Sequence, residues 1–155
     1  MLKKTYRLTR DGADELQREL DRLTSERSAI AERIKTAREF GDLAENAEYQ
    51  SAQAEHEKNE TRIQDIQHIL QNVQIIASPQ NGSQTVQLGC KVTLKNPSGK
   101  NKLFQVVGTV EADPLEGKIS DESPIGKSLL GKPVGGQIEI KTPTETAIYE
   151  IVEIA

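Results

Sequence analysis

Aromatic side chains make up only 3% of this 155-residue chain, and there is no tryptophan. Any globular core must therefore be small and aliphatic. Charged residues reach 28%, a balance that suits long solvated helices better than one large apolar interior. Cys90 is the only cysteine, which excludes an intrachain disulfide and any cysteine-based zinc site. A reducing compartment is the simpler expectation, with Cys90 a small core residue of a strand. His56 and His68 are too isolated to serve as metal ligands. No stretch approaches the roughly 20 apolar residues of a membrane span, and Met1 to Tyr6 lack the apolar run of a signal peptide. The chain is expected to be soluble and cytoplasmic, with no membrane partner. An excess of positive charge is also missing. The formal net charge is −4 and the isoelectric point about 5.3, so the chain lacks the basic footprint of an autonomous nucleic-acid binder.

What is present is a mirror. From Ala13 the inward positions climb through Leu16, Leu20, Leu23, Arg27, Ile30, Ile34 and Ala37 in alternating steps of three and four, the seam of a coiled coil. A second seam reads Tyr49, Ala52, His56, Asn59, Ile63, Ile66, Leu70 and Val73. Each member of the second lies as far beyond Leu43 as its partner in the first lies before it: Ala13 with Val73, Arg27 with Asn59, Ala37 with Tyr49. Two antiparallel helices joined by a tight turn produce that symmetry. At about 1.5 Å per residue each helix would extend roughly 40 Å. Thr9 is the expected N-cap of the first, with Asp11 in its first turn. The first helix is expected to run to about Phe40 and stop at Gly41, and the second to run from Asp42 or Leu43 to about Ile76. Arg27 and Asn59 are expected to meet in one polar layer.

Charge is distributed unevenly along this hairpin. Lys3, Lys4, Arg7 and Arg10 lie at its root, whereas Glu39, Asp42, Glu45 and Glu48 surround its turn. Arg33, Lys35 and Arg38 form a basic collar just below the acids. Asp42 and Glu45 are hard oxygen donors of the kind Mg²⁺ takes, one or two protein carboxylates being enough when waters and phosphates fill the remaining positions. A hairpin tip offers no concavity to enclose a substrate. Acids placed there can do chemistry only inside another molecule's site. Asp42-x-x-Glu45 also reads as a capping box for the second helix, and the charged faces as ordinary solvated surface. Capping and metal binding do not exclude each other.

Beyond Ile76 the period changes. Ala77-Ser78-Pro79-Gln80-Asn81-Gly82-Ser83 has the composition of a linker. Strand signals follow at 86–94, 103–110, 137–142 and 147–154. Between them Ser123-Pro124-Ile125-Gly126-Lys127-Ser128-Leu129-Leu130-Gly131 supplies a capping serine, a proline at the first helical position and a closing glycine. The expected organisation is α+β: an antiparallel coiled-coil hairpin with an acidic tip over 1–77, a linker at 78–83, and a small antiparallel sheet with one short helix over 84–155.

The tip Gly41-Asp42-Leu43-Ala44-Glu45-Asn46-Ala47-Glu48-Tyr49, followed by Arg62-Ile63-Gln64-Asp65-Ile66, then the Ser123 to Lys132 segment and Ile140-Lys141-Thr142-Pro143, resembles the Gre family of bacterial transcript cleavage factors. The resemblance covers nearly the whole chain in the family's order. Glu55, Glu57 and Glu60 against Lys58 and Arg62 place it nearer the GreA than the more basic GreB type. It implies a transcription elongation factor that is not itself an enzyme. Such a factor inserts its coiled coil into the secondary channel of bacterial RNA polymerase and stimulates cleavage of the backtracked RNA 3′ end. By the resemblance, Asp42 and Glu45 act in trans and hold a Mg²⁺ shared with the polymerase, with no cofactor bound by the isolated chain. Arg33, Lys35 and Arg38 lie toward the RNA. Gly41, Leu43, Asn46, Glu48 and Tyr49 support the tip. The globular domain is implied to be FKBP-like, with Asp121, Glu122, Ser123 and Pro124 docking on the channel rim. The factor is expected to act as a monomer.

Three other readings use the same residues. The first keeps the fold and loses the activity, the chain occupying the channel as a regulator or inhibitor without cleavage; intact Asp42 and Glu45 argue against this. DksA-type factors also carry acids on a tip, but the lone cysteine excludes their zinc site. A plain coiled-coil adaptor leaves the match in the second domain unexplained. Prolyl isomerisation would need an aromatic-lined pocket, and beyond the linker only Phe104 and Tyr149 are available. Fold alone does not carry that activity.

Overall fold

The computed structural model describes residues 5–41, 44–77, 84–141 and 143–155. They form two compact units, one of Ala13–Val73 and one of Thr5–Gly12 with Gln74–Ala155. The expected linker at 78–83 lies outside the described residues. No helix among them is long and apolar enough to cross a membrane.

The first unit consists of helices α1 (Arg10–Arg38) and α2 (Ala47–Gln71). Their antiparallel course is fixed by ion pairs that fall along α2 as they rise along α1. Glu19 pairs with Arg62, Arg27 with Glu60, and Arg33 with Glu55, at N–O distances of 2.8, 2.8 and 2.6 Å. Each is two-pronged, the geometry in which a planar guanidinium meets a carboxylate best. The Arg62 guanidinium hydrogen-bonded to Glu19 holds that carboxyl below the usual range, and Glu19 in turn raises Arg62. Leu23, Ile63 and Ile66 are buried together, with Leu16, Leu20 and Leu70 packed against them. These are the residues the mirror about Leu43 pairs.

The seam differs from expectation at its polar positions. Arg27 is exposed and reaches Glu60 rather than Asn59. Asn59 is buried alone and donates from Nδ2 to the Leu23 carbonyl at 3.2 Å. His56 is exposed. A long flexible arginine can leave the seam for a carboxylate at its rim, whereas the short amide of Asn59 must find a backbone partner inside it.

Thr9 caps α1, accepting from the Gly12 N–H at 3.1 Å. The helix ends at Arg38, two residues before the expected Phe40. Glu39 and Phe40 close tighter i to i−3 bonds onto Thr36 and Ala37, and Gly41 then takes φ +120, which favours glycine. The second helix begins later and stops earlier than expected. Asn46 caps it at the start, and Asn72 follows Gln71 at its end. Val73–Ile75 leave the helix as strand β2, which pairs with β1 (Tyr6–Leu8), and Ile76 N–H bonds the Leu8 carbonyl at 2.8 Å. Residues 5–12, assigned by sequence to the hairpin, thus fold with the second unit.

That unit is a five-stranded sheet in the order β5-β4-β3-β7-β6, with β3 at Lys91–Lys95, β4 at Asn101–Val107, β5 at Lys118–Ser120, β6 at Gln137–Lys141 and β7 at Thr146–Ile154. The expected sheet was wholly antiparallel; the observed one is mixed. β5 pairs with β4 in parallel, Gln105 opposite Lys118. The connection between them, 108–117, folds through a turn of 3-10 helix at Pro114–Glu116 capped by Asp113, and so brings the chain in along the same direction. One face of the sheet buries Val92, Leu94, Phe104, Val106, Ile119, Ile138, Ile151 and Ile154, with Val86 and Cys90. Leu129 of helix α3 (Pro124–Leu129) joins that core. It is aliphatic apart from Phe104 and Cys90, as the composition requires.

Candidate functional site: the hairpin tip and the α3 edge

The tip is organised by Asn46. Its Oδ1 accepts the Tyr49 N–H at 3.1 Å, capping α2, while its Nδ2 donates to the Ala37 carbonyl at 2.6 Å in the last full turn of α1. One side chain thus satisfies an orphan donor of α2 and adds a second bond to a carbonyl in the last turn of α1 that also accepts the Phe40 N–H. Gln50 Nε2 adds a bond to the Ala44 carbonyl at 2.8 Å. Asn46, Glu48 and Tyr49 all lie in or beside this first turn, as tip support would require.

The cap at Asn46 changes the reading of the acids. Because the second helix starts five residues after Asp42, the expected capping box is not its N-terminus. Glu45 precedes the cap, is exposed, and makes no hydrogen bond or ion pair among the described residues. Its carboxylate has no structural duty there. Asp42 and Leu43 lie outside the described residues. Among the described residues no three His, Cys, Asp or Glu side chains are grouped to hold a metal. Glu45 fits a divalent cation as one exposed oxygen donor whose other partners come from elsewhere.

The basic collar is less uniform than its sequence. Arg33 is neutralised by Glu55. Lys35 is exposed. Arg38 makes no ion pair among the described residues; its guanidinium lies over the Tyr49 ring, 5.8 Å from the centroid, and Gln53 Nε2 donates to the Tyr49 hydroxyl at 2.6 Å. Gln50 and Gln53 were not singled out from sequence, and no local signal marks them. Asn46 as the cap could have been read, since asparagine is among the best N-caps.

In the second unit the expected docking residues also carry structure. Ser123 Oγ accepts the Gly126 N–H at 3.1 Å and donates to the Ser120 carbonyl at 2.6 Å, with Pro124 at the first position of α3. Gly126 lies so close under the Ser120 carbonyl that a Cβ would collide with it. Asp121 is ion-paired with Arg7 at 2.7 Å and its side chain is only 10% exposed. Glu122 accepts from Thr109 Oγ1 at 3.1 Å and, like Pro124, is exposed. Glu111 was missed: its two carboxylate oxygens accept the Thr9 N–H and hydroxyl at 2.9 and 2.6 Å. A contact across 102 residues of chain leaves no local signature.

Two family models match, "Transcription elongation factor, N-terminal" over residues 6–75 and "Transcription elongation factor, GreA/GreB, C-term" over 80–155. The chain is 42% identical over 153 residues to transcription elongation factor GreA of Geobacillus kaustophilus and 44% identical over 153 residues to that of Bacillus cereus, with 97% of each chain covered in both cases. Among solved structures it is similar to GreA factor homolog 1 of Thermus thermophilus, at 31% identity and TM-score 0.44, covering 98% of this chain and 99% of that one. With both units matched end to end, the chain belongs to the GreA/GreB family of transcription elongation factors, on the GreA side.

Proposed function

We propose that this chain binds bacterial RNA polymerase in the cytoplasm and stimulates the polymerase's own cleavage of backtracked nascent RNA. The second unit docks at the rim of the secondary channel, with Glu122 and Pro124 on its exposed surface, and the hairpin enters the channel. Helices of 29 and 25 residues give an arm of roughly 40 Å. The chain is not an enzyme; it supplies Asp42 and Glu45 to the polymerase active centre as a monomer. A divalent metal held there by Asp42 and Glu45 together with the polymerase would supply the Lewis-acid chemistry of phosphodiester hydrolysis. Glu45 contributes an oxygen donor and a negative charge, and Asn46 holds it at the start of α2. Arg38 and Lys35 face the RNA 3′ segment, whose phosphates are attracted to cations in a salt-dependent way.

The observation that carries this reading is Glu45: in a tip motif matching the family, its carboxylate is exposed and relieved of capping by Asn46. The test is transcript cleavage in stalled elongation complexes with and without the protein. Shortened RNA with a released 3′ fragment, dependent on the protein, is the expected result. Polymerase binding with no added cleavage would replace this reading with that of a channel-occupying regulator.

A further inference from the structure

The chain has five aromatic side chains, two Phe and three Tyr. Phe104 is in the sheet core, and Tyr6, Tyr49 and Tyr149 are half-buried. Only Phe40 is left in solvent, 71% exposed. It sits on the tip turn, its N–H bonded to the Ala37 carbonyl at 3.2 Å, between Arg38 and Gly41. Isolated apolar side chains on a surface are ordinary. Here, however, the ring stands two residues along the chain from Arg38, which makes no ion pair among the described residues and rests on Tyr49, and five from the exposed Lys35. An exposed ring beside unneutralised cations is the combination that holds single-stranded nucleic acid, the ring stacking on a base and the guanidinium meeting a phosphate. A protein partner of aliphatic character would be served equally by leucine. Nothing in that case would call for cations beside it.

We propose that Phe40 is a stacking platform for an unpaired base of the RNA 3′ segment, with Arg38, positioned by Tyr49, meeting an adjacent phosphate. The proposal rests on the cleavage reading above and names the group through which the tip grips its RNA. Stacking needs a flat π-face, so tyrosine or tryptophan at position 40 should serve and leucine should not.

The test uses the full chain and backtracked elongation complexes whose displaced RNA carries either normal nucleotides or abasic ones. With normal RNA, Phe40→Ala and Phe40→Leu should lower the apparent affinity for the backtracked complex and the cleavage kcat/KM by roughly 5- to 150-fold, the range for loss of one stacked base. Phe40→Tyr should stay near wild type. With abasic RNA all four proteins should become equal. A loss that is the same on abasic and normal RNA, or a Leu variant as good as wild type, would assign Phe40 to a protein contact and overturn the proposal. Phe40→Trp provides a readout that needs no cleavage. Its emission should be quenched by backtracked complexes with normal RNA and not by abasic ones. If the wild type gave no cleavage, the functional reading would fail, while base-dependent quenching would still support the stacking contact and its absence would refute it.

Discussion

Replacing Asn46 with alanine removes two bonds that act on different helices. The first is the N-cap of α2, worth about 1 kcal/mol. The second is the 2.6 Å bond to the Ala37 carbonyl, worth about another 1 kcal/mol as a net intramolecular hydrogen bond. A loss of about 2 kcal/mol in a unit of this size lowers its melting temperature by roughly 8 to 16 °C. Two further variants divide the effect. Asn46→Ser and Asn46→Asp keep a side-chain acceptor for the Tyr49 N–H but lose the donor to Ala37, so each should retain the cap and lose about 1 kcal/mol, half of what the alanine variant loses. Asn46→Asp should fare the worse of the two, because it sets a carboxylate against a carbonyl oxygen. Thermal unfolding followed by far-ultraviolet circular dichroism reads these differences through the long helices. If Asn46→Ala melts within about 2 °C of wild type, or Asn46→Asp matches wild type, the amide does not join the two helices and the account of the tip is wrong.

Glu45→Gln and Asp42→Asn should leave helicity and polymerase binding near wild type while reducing stimulated cleavage by about two orders of magnitude, the scale of removing one transition-state stabiliser. Added Mg²⁺ should partly restore both, and full activity in both variants would place the chemistry elsewhere. Asn59→Leu should raise hairpin stability by about 1 kcal/mol, since apolar burial outweighs one neutral hydrogen bond; a lower melting temperature would show that the bond to Leu23 dominates. The Glu19–Arg62 pair should show in the pH dependence of stability. Glu19 has a lowered folded pKa, so its contribution is present above the unfolded value of about 4.3 and is lost as pH falls through the folded one. Wild type and Glu19→Gln should therefore differ near neutrality by no more than about 1 kcal/mol, as suits a partly exposed pair, and converge once pH has fallen through the lowered folded pKa. A gap that persists in acid would mean that packing, not charge, is what the substitution removes.

The sequence carried the hairpin because antiparallel helices write their pairing into it. Leu16, Leu20, Leu23, Ile63, Ile66 and Leu70 repeat about one centre, and they are the residues packed together. It carried α3 for a similar reason, since Ser123, Pro124 and the following glycines are local signals that act locally. Where two local rules competed, sequence reading went wrong. Asp42-x-x-Glu45 and Asn46 both look like helix starts, and only the carbonyl of Ala37, within reach of an amide donor but useless to a carboxylate, decides for Asn46. Arg27 in a seam position reads as interior by spacing. It lies at the solvent edge, where a charged side chain keeps its water. The parallel pairing of β5 and the partnership of Glu111 with Thr9 could not be read at all, because both join segments whose separation in sequence has no period.

That last contact changes where the chain can be divided. A cut at the linker would seem to yield an intact globular domain, yet residues 5–12 supply β1, the Arg7 partner of Asp121 and the Thr9 partner of Glu111 to the second unit. A fragment over 84–155 would leave two carboxylates without their partners, one of them in the region expected to dock. The size of this tie can be measured without cutting. Glu111→Ala deletes both acceptors for Thr9, and one charged hydrogen bond contributes about 1.5 to 3 kcal/mol. Since the site is part-buried, about 2 kcal/mol is a fair total for the pair. The backbone bond from Ile76 to Leu8 reports directly on whether β1 stays in place, so its amide should exchange roughly 30-fold faster in the variant, the factor that 2 kcal/mol gives when exchange follows the opening equilibrium. Amides of β3 in the sheet centre serve as the internal control and should be little changed. An unaltered rate at Ile76 would mean that β1 is held by its strand pairing alone, and the fragment 84–155 would then be expected to fold and dock as well as the whole chain does.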